Sequence, residues 1–132
     1  MLIALYVALF LGGAGPAVTV DALLVETKTA VVQIVEDVDR ERRVVNVIED
    51  LEKSVGDFRE QRVESSKELE AVDANYGSGS EDYMKAIRSM EKVWLDFEFE
   101  MAKSHIEVTS FLTEEEWDEL FDHLRRFRKG KS

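Results

Sequence analysis

The chain has 132 residues, 34% of them charged, with a formal net charge of −11, no cysteine and a single proline. This composition excludes a disulfide-stapled fold and argues against a nucleic-acid-binding protein, which needs a basic surface. The charge is uneven, because residues 21–124 hold all 28 acids and 12 bases, a balance of −16, whereas residues 125–132 hold five bases and no acid. The high charge and the absence of proline after Pro16 favour long helices over a β-sandwich or barrel.

The first element is an uncharged segment at the start of the chain. Residues 1–20 carry no charge, and residues 2–11 form an apolar run of the length of a signal-peptide core. Three readings stay open: a cleaved signal peptide within residues 1–22, a retained membrane anchor, or an ordinary buried helix. Both membrane readings predict an extracytoplasmic body, periplasmic or secreted, that begins at residue 23.

The predicted first helix spans residues 24–74, because its apolar residues recur at helical spacing on one stripe. The stripe consists of Leu24, Val31, Val35, Val38, Val45, Ile48, Leu51, Val55, Phe58, Leu69, Val72 and Tyr76. Gly56 is its weak point, since an interior glycine costs about 1 kcal/mol relative to alanine. A turn over residues 75–80 follows, in which Asn75 or Gly77 suits a left-handed helix cap.

The predicted second helix, residues 81–109, is apolar on two sides. We define its inner stripe as Tyr83, Ile87, Met90, Trp94, Phe97, Met101 and Val108. Its outer stripe, about 120° round the helix, is Met84, Leu95, Phe99, Ala102 and Ile106. A helix that is apolar on two sides needs two neighbours.

The predicted third helix spans residues 114–128. Thr113 followed by Glu116 forms a capping box, which marks a helix start. The sequence therefore predicts an all-α fold, a long antiparallel helical hairpin in which Phe97 lies opposite Phe58 and Glu116 lies level with Arg40. Dimerisation of two hairpins into a bundle is the expected assembly.

In this predicted hairpin, the second helix has more aromatic surface than the first helix can cover. We therefore predict a protein interface at Trp94, Leu95, Phe97 and Phe99, since contiguous apolar patches mark interaction sites. A symmetric dimer, a groove for another protein, and fold-back of the third helix over this surface stay open. We also expect the uncharged segment and the basic tail to contact a membrane surface. The basic tail contains Arg125, Arg126, Arg128, Lys129 and Lys131.

The sequence offers little for chemistry at a metal or catalytic site. Met101 with His105 is one helical pair suited to a soft ion, and Glu119 with His123 is another suited to Zn²⁺ or Cu²⁺. Each pair supplies too few ligands for a defined metal centre. No phosphate loop or nucleophile motif is present, so the sequence predicts neither an enzyme nor a cofactor.

One short motif resembles that of a known group of proteins. Leu112-Thr113-Glu114-Glu115-Glu116 resembles the Leu-Thr-x-x-Gln motif of small periplasmic helical-hairpin proteins, the Spy/CpxP and metal-resistance-sensor group. Glu116 stands in place of the glutamine, and the body is acidic where those chaperones present a basic cradle. The resemblance implies an exported, commonly dimeric protein that binds clients through an apolar face, with Trp94, Phe97 and Phe99 as candidates.

The predicted function is therefore that of an exported or membrane-anchored, non-enzymatic helical protein that binds protein partners. Two other functions stay open, an extracytoplasmic metal or stress sensor and a structural coiled-coil spacer.

Overall fold

The computed structural model describes residues 20–130, which form four helices and no strand. The helices are α1 (Val20–Ile34), α2 (Val38–Ala74), α3 (Ser80–Phe111) and α4 (Glu114–Arg128). The predicted all-α class is confirmed. The predicted signal peptide or anchor lies almost wholly outside the described residues, because only its last three residues appear, in the first turn of α1.

The predicted continuous helix over residues 24–74 is wrong at residues 35–37, where the helix is interrupted. The Asp37 carboxylate accepts a hydrogen bond from the backbone N–H of Arg40 at 3.0 Å, so Asp37 is the N-cap of a new helix. The helix continues through Gly56, which lies inside α2. A side-chain cap, rather than the glycine, therefore divides the predicted helix.

The turn between α2 and α3 is held by side chains rather than by left-handed backbone. The Asn75 amide oxygen accepts from the Gly77 N–H at 3.0 Å, and the Ser78 hydroxyl donates to the Val72 carbonyl at 2.6 Å. Among the described residues only Gly130 has a positive φ, of 78°. The predicted left-handed cap at Asn75 or Gly77 is therefore wrong, because the Asn75 side chain makes the turn instead.

The capping box at the start of α4 is confirmed. The Thr113 side chain accepts from the Glu116 N–H at 3.2 Å, and the Glu116 carboxylate accepts from the Thr113 N–H at 2.8 Å. This reciprocal pair satisfies two backbone donors that the first helical turn leaves without partners.

The described chain divides into two compact units. The first contains residues 20–52 and 101–130, and it has the larger core. Its buried apolar residues come from all four helices and from the break between α1 and α2, which contributes Val35: Val20, Leu23, Leu24, Ala30, Val31, Val35, Val44, Val47, Ile48, Leu51, Met101, Val108, Leu120 and Leu124. Burial of this many aliphatic side chains supplies most of the hydrophobic stabilisation of the unit.

The second unit contains residues 53–100, the end of α2 and most of α3. Its buried apolar residues are only Val55, Phe58, Ala86 and Phe97. Its exposed large apolar residues are Val63, Tyr76, Met84, Ile87, Leu95 and Phe99. The second unit thus exposes more large apolar side chains than it buries. The first unit buries more than it exposes.

None of the four helices between residues 20 and 130 combines the length and the apolar content that crossing a bilayer demands.

Candidate protein-interaction surface

The interior of the second unit is built on an aromatic cluster that joins α2 to α3. The rings of Phe58 and Phe97 stack at 4.4 Å between centroids, and the Trp94 ring meets Phe58 edge-on at 4.9 Å. The pairing of Phe97 with Phe58 that the sequence predicted is confirmed. Aromatic pairs in these geometries stabilise a fold beyond the area that they bury.

The predicted interface residues separate into two groups. Phe97 is 3% exposed and belongs to the interior of the unit, and Trp94 is half-buried, with the Arg62 guanidinium 5.9 Å from its ring centroid. Leu95 and Phe99 are 64% and 68% exposed. A partner can therefore reach Leu95 and Phe99 without disturbing the interior, whereas contact with Phe97 would require the unit to open.

The separation follows from the position of each residue around α3. Leu95 and Phe99 lie one helical turn apart and so occupy one side of the helix, away from Phe97. Of the outer stripe, Met84 is also exposed in this unit, and Ala102 and Ile106 are exposed in the first unit. Every residue of the outer stripe is therefore accessible to solvent. We call Leu95 and Phe99 together the Leu95–Phe99 surface.

Charged residues of both signs surround this surface. Glu91, Lys92, Asp96 and Glu98 are all exposed, and Lys92 forms an ion pair with Asp96 at 3.0 Å, one turn along the helix. An exposed ion pair of this kind contributes little to stability. The mixed signs matter more for binding, because they permit contact with a surface that is itself mixed in charge.

A groove of about 230 Å³ lies beside the stacked phenylalanines of the second unit. Its walls are formed by Ser54, Asp57, Phe58, Gln61, Val93, Asp96, Phe97 and Glu100. Its lining combines the rings of Phe58 and Phe97 with the carboxylates of Asp57, Asp96 and Glu100.

In the first unit, Arg40 binds the start of α4. Its guanidinium forms two hydrogen bonds with the Glu116 carboxylate, of 2.5 and 3.1 Å, and a third with the Phe111 carbonyl at 2.9 Å. These bonds to Arg40 hold the pKa of Glu116 below its usual value and raise that of Arg40. The predicted approach of Glu116 to Arg40 is confirmed, and Arg43 lies instead over the Phe111 ring at 5.6 Å.

The residues predicted as metal candidates have other neighbours. Met101 is buried, and the His105 ring meets the Trp117 ring edge-on at 5.3 Å, with burial lowering the pKa of His105. His123 Nε2 lies 2.6 Å from the Glu26 carboxylate, which links α4 to α1. Glu119 is exposed. Between residues 20 and 130, no three histidine or carboxylate side chains lie close enough together to hold a metal ion.

The chain matches no protein-family model, no curated protein and no solved structure at a significant level. The resemblance to the Spy/CpxP group therefore gains no support from these comparisons.

Proposed function

We propose that this protein is a non-enzymatic helical protein that binds another protein through the Leu95–Phe99 surface, and that a second copy of the chain is the partner. Residues 1–22 would deliver it to or across a membrane, either as a signal peptide or as an anchor, and the helical body would form an antiparallel hairpin. The observation that carries the proposal is the exposure of Leu95 and Phe99, 64% and 68%, in a unit that buries few apolar residues.

The physical reason is the hydrophobic effect. Phenylalanine and leucine side chains each gain about 1.5–3 kcal/mol when they leave water completely. The second unit exposes more large apolar side chains than it buries, so association would supply the burial that its own core lacks. Aromatic residues also dominate the binding energy of protein interfaces.

The charges around the surface favour a second copy as the partner. In an antiparallel pair of α3 helices in which Leu95 of one copy faces Phe99 of the other, Glu91, one turn before Leu95, faces Lys103, one turn after Phe99. Two-fold symmetry repeats both favourable pairs. Apolar side chains of the two copies meet at the centre of the contact, and opposite charges pair at its edge.

The contact area is modest, since each copy contributes two large side chains at the centre. We therefore expect a dimer that dissociates in about the micromolar range rather than a permanent one.

The test is sedimentation of the full chain, in mild detergent, over a range of protein concentrations. We expect a monomer–dimer equilibrium, and Leu95→Ser with Phe99→Ser should raise the dissociation constant at least about ten-fold. Val25→Ser with Val32→Ser is the matched control, because it removes two apolar residues of 53% and 55% exposure on α1. The proposal fails if the full chain stays monomeric at all concentrations, or if both double variants weaken the dimer equally.

A further inference from the structure

The basic end of α4 is a charged surface that the proposed association does not use. Arg125, Arg126 and Lys129 are exposed and Arg128 is half-buried, and the sequence adds Lys131. No acidic residue follows Asp122 in the chain. In a protein whose net charge is −11, this is a local concentration of positive charge at the end of one helix.

An exposed aromatic residue shares one side of the helix with two of these arginines. Phe121 is 41% exposed, and Arg125 and Arg128 follow it by four and seven residues, so all three lie on the same side of α4. The buried residues Leu120 and Leu124 lie about 60–100° round the helix from Phe121, so α4 packs through the neighbouring side. An aromatic residue between basic side chains, on a helix whose neighbouring side is packed, is typical of a surface that rests on a membrane interface.

The position of α4 supports the same conclusion. α4 packs on α1 in the first unit, and the contact between His123 and Glu26 is six residues beyond the start of α1. Residues 1–19, which precede α1, contain no charge. The basic residues of α4 therefore belong to the same unit as the point where the uncharged segment joins the helical body.

We infer that the basic end of α4 binds the anionic headgroups of a membrane surface. Phe121 enters the interface, and Arg125, Arg126, Arg128 and Lys129 bind the headgroup phosphates. Asp118 and Asp122 lie on the same helix, and Asp122 is 3.4 Å from Arg125, so their repulsion reduces the gain. More distant acids count less at physiological ionic strength, because the Debye length there is about 8 Å. This inference does not depend on the Leu95–Phe99 surface, which lies in the other unit.

The test is co-flotation of the full chain with lipid vesicles at roughly 0.1 M salt. Vesicles of phosphatidylcholine alone measure the attachment that residues 1–19 provide without lipid charge. Vesicles with roughly 30% phosphatidylglycerol measure the additional binding that requires anionic lipid. We expect the partition coefficient to rise about ten-fold or more on the anionic vesicles, and this increase to disappear near 1 M salt.

A charge-matched pair of variants identifies the surface responsible. Replacement of Arg125, Arg126, Arg128 and Lys129 by glutamine should abolish the increase. Replacement of four other exposed bases, Lys53, Lys67, Lys85 and Lys103, by glutamine changes the net charge equally and should preserve it. Circular dichroism on each variant establishes that it is folded, and the salt series on the unmodified chain tests the inference even if the first variant unfolds.

The possible results separate the inference from its alternatives. Equal binding to both kinds of vesicle overturns it, as does an equal loss of the increase in both variants. Binding to soluble polyglutamate without preference for anionic vesicles also overturns it and indicates an acidic protein as the ligand. Leu95→Ser with Phe99→Ser should leave the increase unchanged, so failure of the proposed dimer would not be mistaken for failure of lipid binding.

Discussion

Phe97 and Phe99 are two residues apart in the sequence, but they occupy opposite environments in the second unit. Phe97 is 3% exposed and stacks on Phe58, and Phe99 is 68% exposed. Removing the Phe97 ring would leave a cavity next to Phe58, a change that costs about 3–5 kcal/mol in well-packed interiors. Removing the Phe99 ring leaves no cavity in the monomer.

We therefore predict that Phe97→Ala lowers the free energy of unfolding by about 3–5 kcal/mol and that Phe99→Ala changes it by less than about 0.5 kcal/mol. Urea unfolding followed by circular dichroism, in protein dilute enough to be monomeric, measures both values. Equal destabilisation by the two variants would show that Phe99 also supports the fold of the monomer, as a structural spacer would require.

The sequence contained the information that separates these residues, because Phe97 lies on the inner stripe of α3 and Leu95 and Phe99 lie on the outer one. The interface prediction grouped them by aromatic and apolar character instead, and it therefore included a residue that the structure buries. Helical periodicity identified the exposed side chains better than composition did, since direction around a helix decides which side chains meet a neighbour.

The helix ends that are marked by local side-chain chemistry were the easiest to predict from the sequence. The capping box that begins α4 was confirmed because its signal lies within four consecutive residues, Thr113 to Glu116. The break before α2 was missed because no glycine or proline marks it and the apolar spacing continues through Val31, Val35 and Val38. Asp37 supplies the cap, but a single aspartate among many acidic residues is a weak signal.

The ion pair between Arg40 and Glu116 makes the joining of α2 to α4 depend on pH. Arg40 lowers the pKa of Glu116 in the folded protein, so the native state holds this carboxyl group ionised at a pH where the unfolded chain would protonate it. Its contribution to stability is therefore complete above the pKa of an unfolded glutamate, and it is lost as the pH falls through the lower folded value.

We predict that Glu116→Gln destabilises the protein by on the order of 1 kcal/mol near neutral pH. The difference from the unmodified chain should shrink as the pH falls from the usual glutamate range through the lowered pKa of Glu116 in the folded protein, since both side chains are uncharged below that value. Urea unfolding across the acid range measures it, with Glu115→Gln, an exposed neighbour in the same helical turn, as the control. A difference that stays constant with pH would assign the effect to hydrogen-bond geometry rather than to charge.

The proposed dimer brings together two whole chains that each carry a net charge of −11. The long-range interaction between the copies is therefore repulsive, whereas the attraction at the Leu95–Phe99 surface is apolar and responds little to salt in this range. Salt shortens the Debye length from about 10 Å at 0.1 M to about 3 Å at 1 M, so it reduces the repulsion first.

We predict that the dissociation constant of the dimer decreases as the salt concentration rises from about 0.05 M to about 0.5 M, measured by sedimentation of the full chain. Binding of the basic end of α4 to anionic vesicles should weaken over the same range, because that contact is an attraction between opposite charges. Opposite salt dependences on one preparation would show that the two surfaces work by different physical forces. A dimer that weakens with salt would instead indicate that ion pairs such as Glu91 with Lys103 of the second copy dominate the contact, and Glu91→Gln should then remove the dependence.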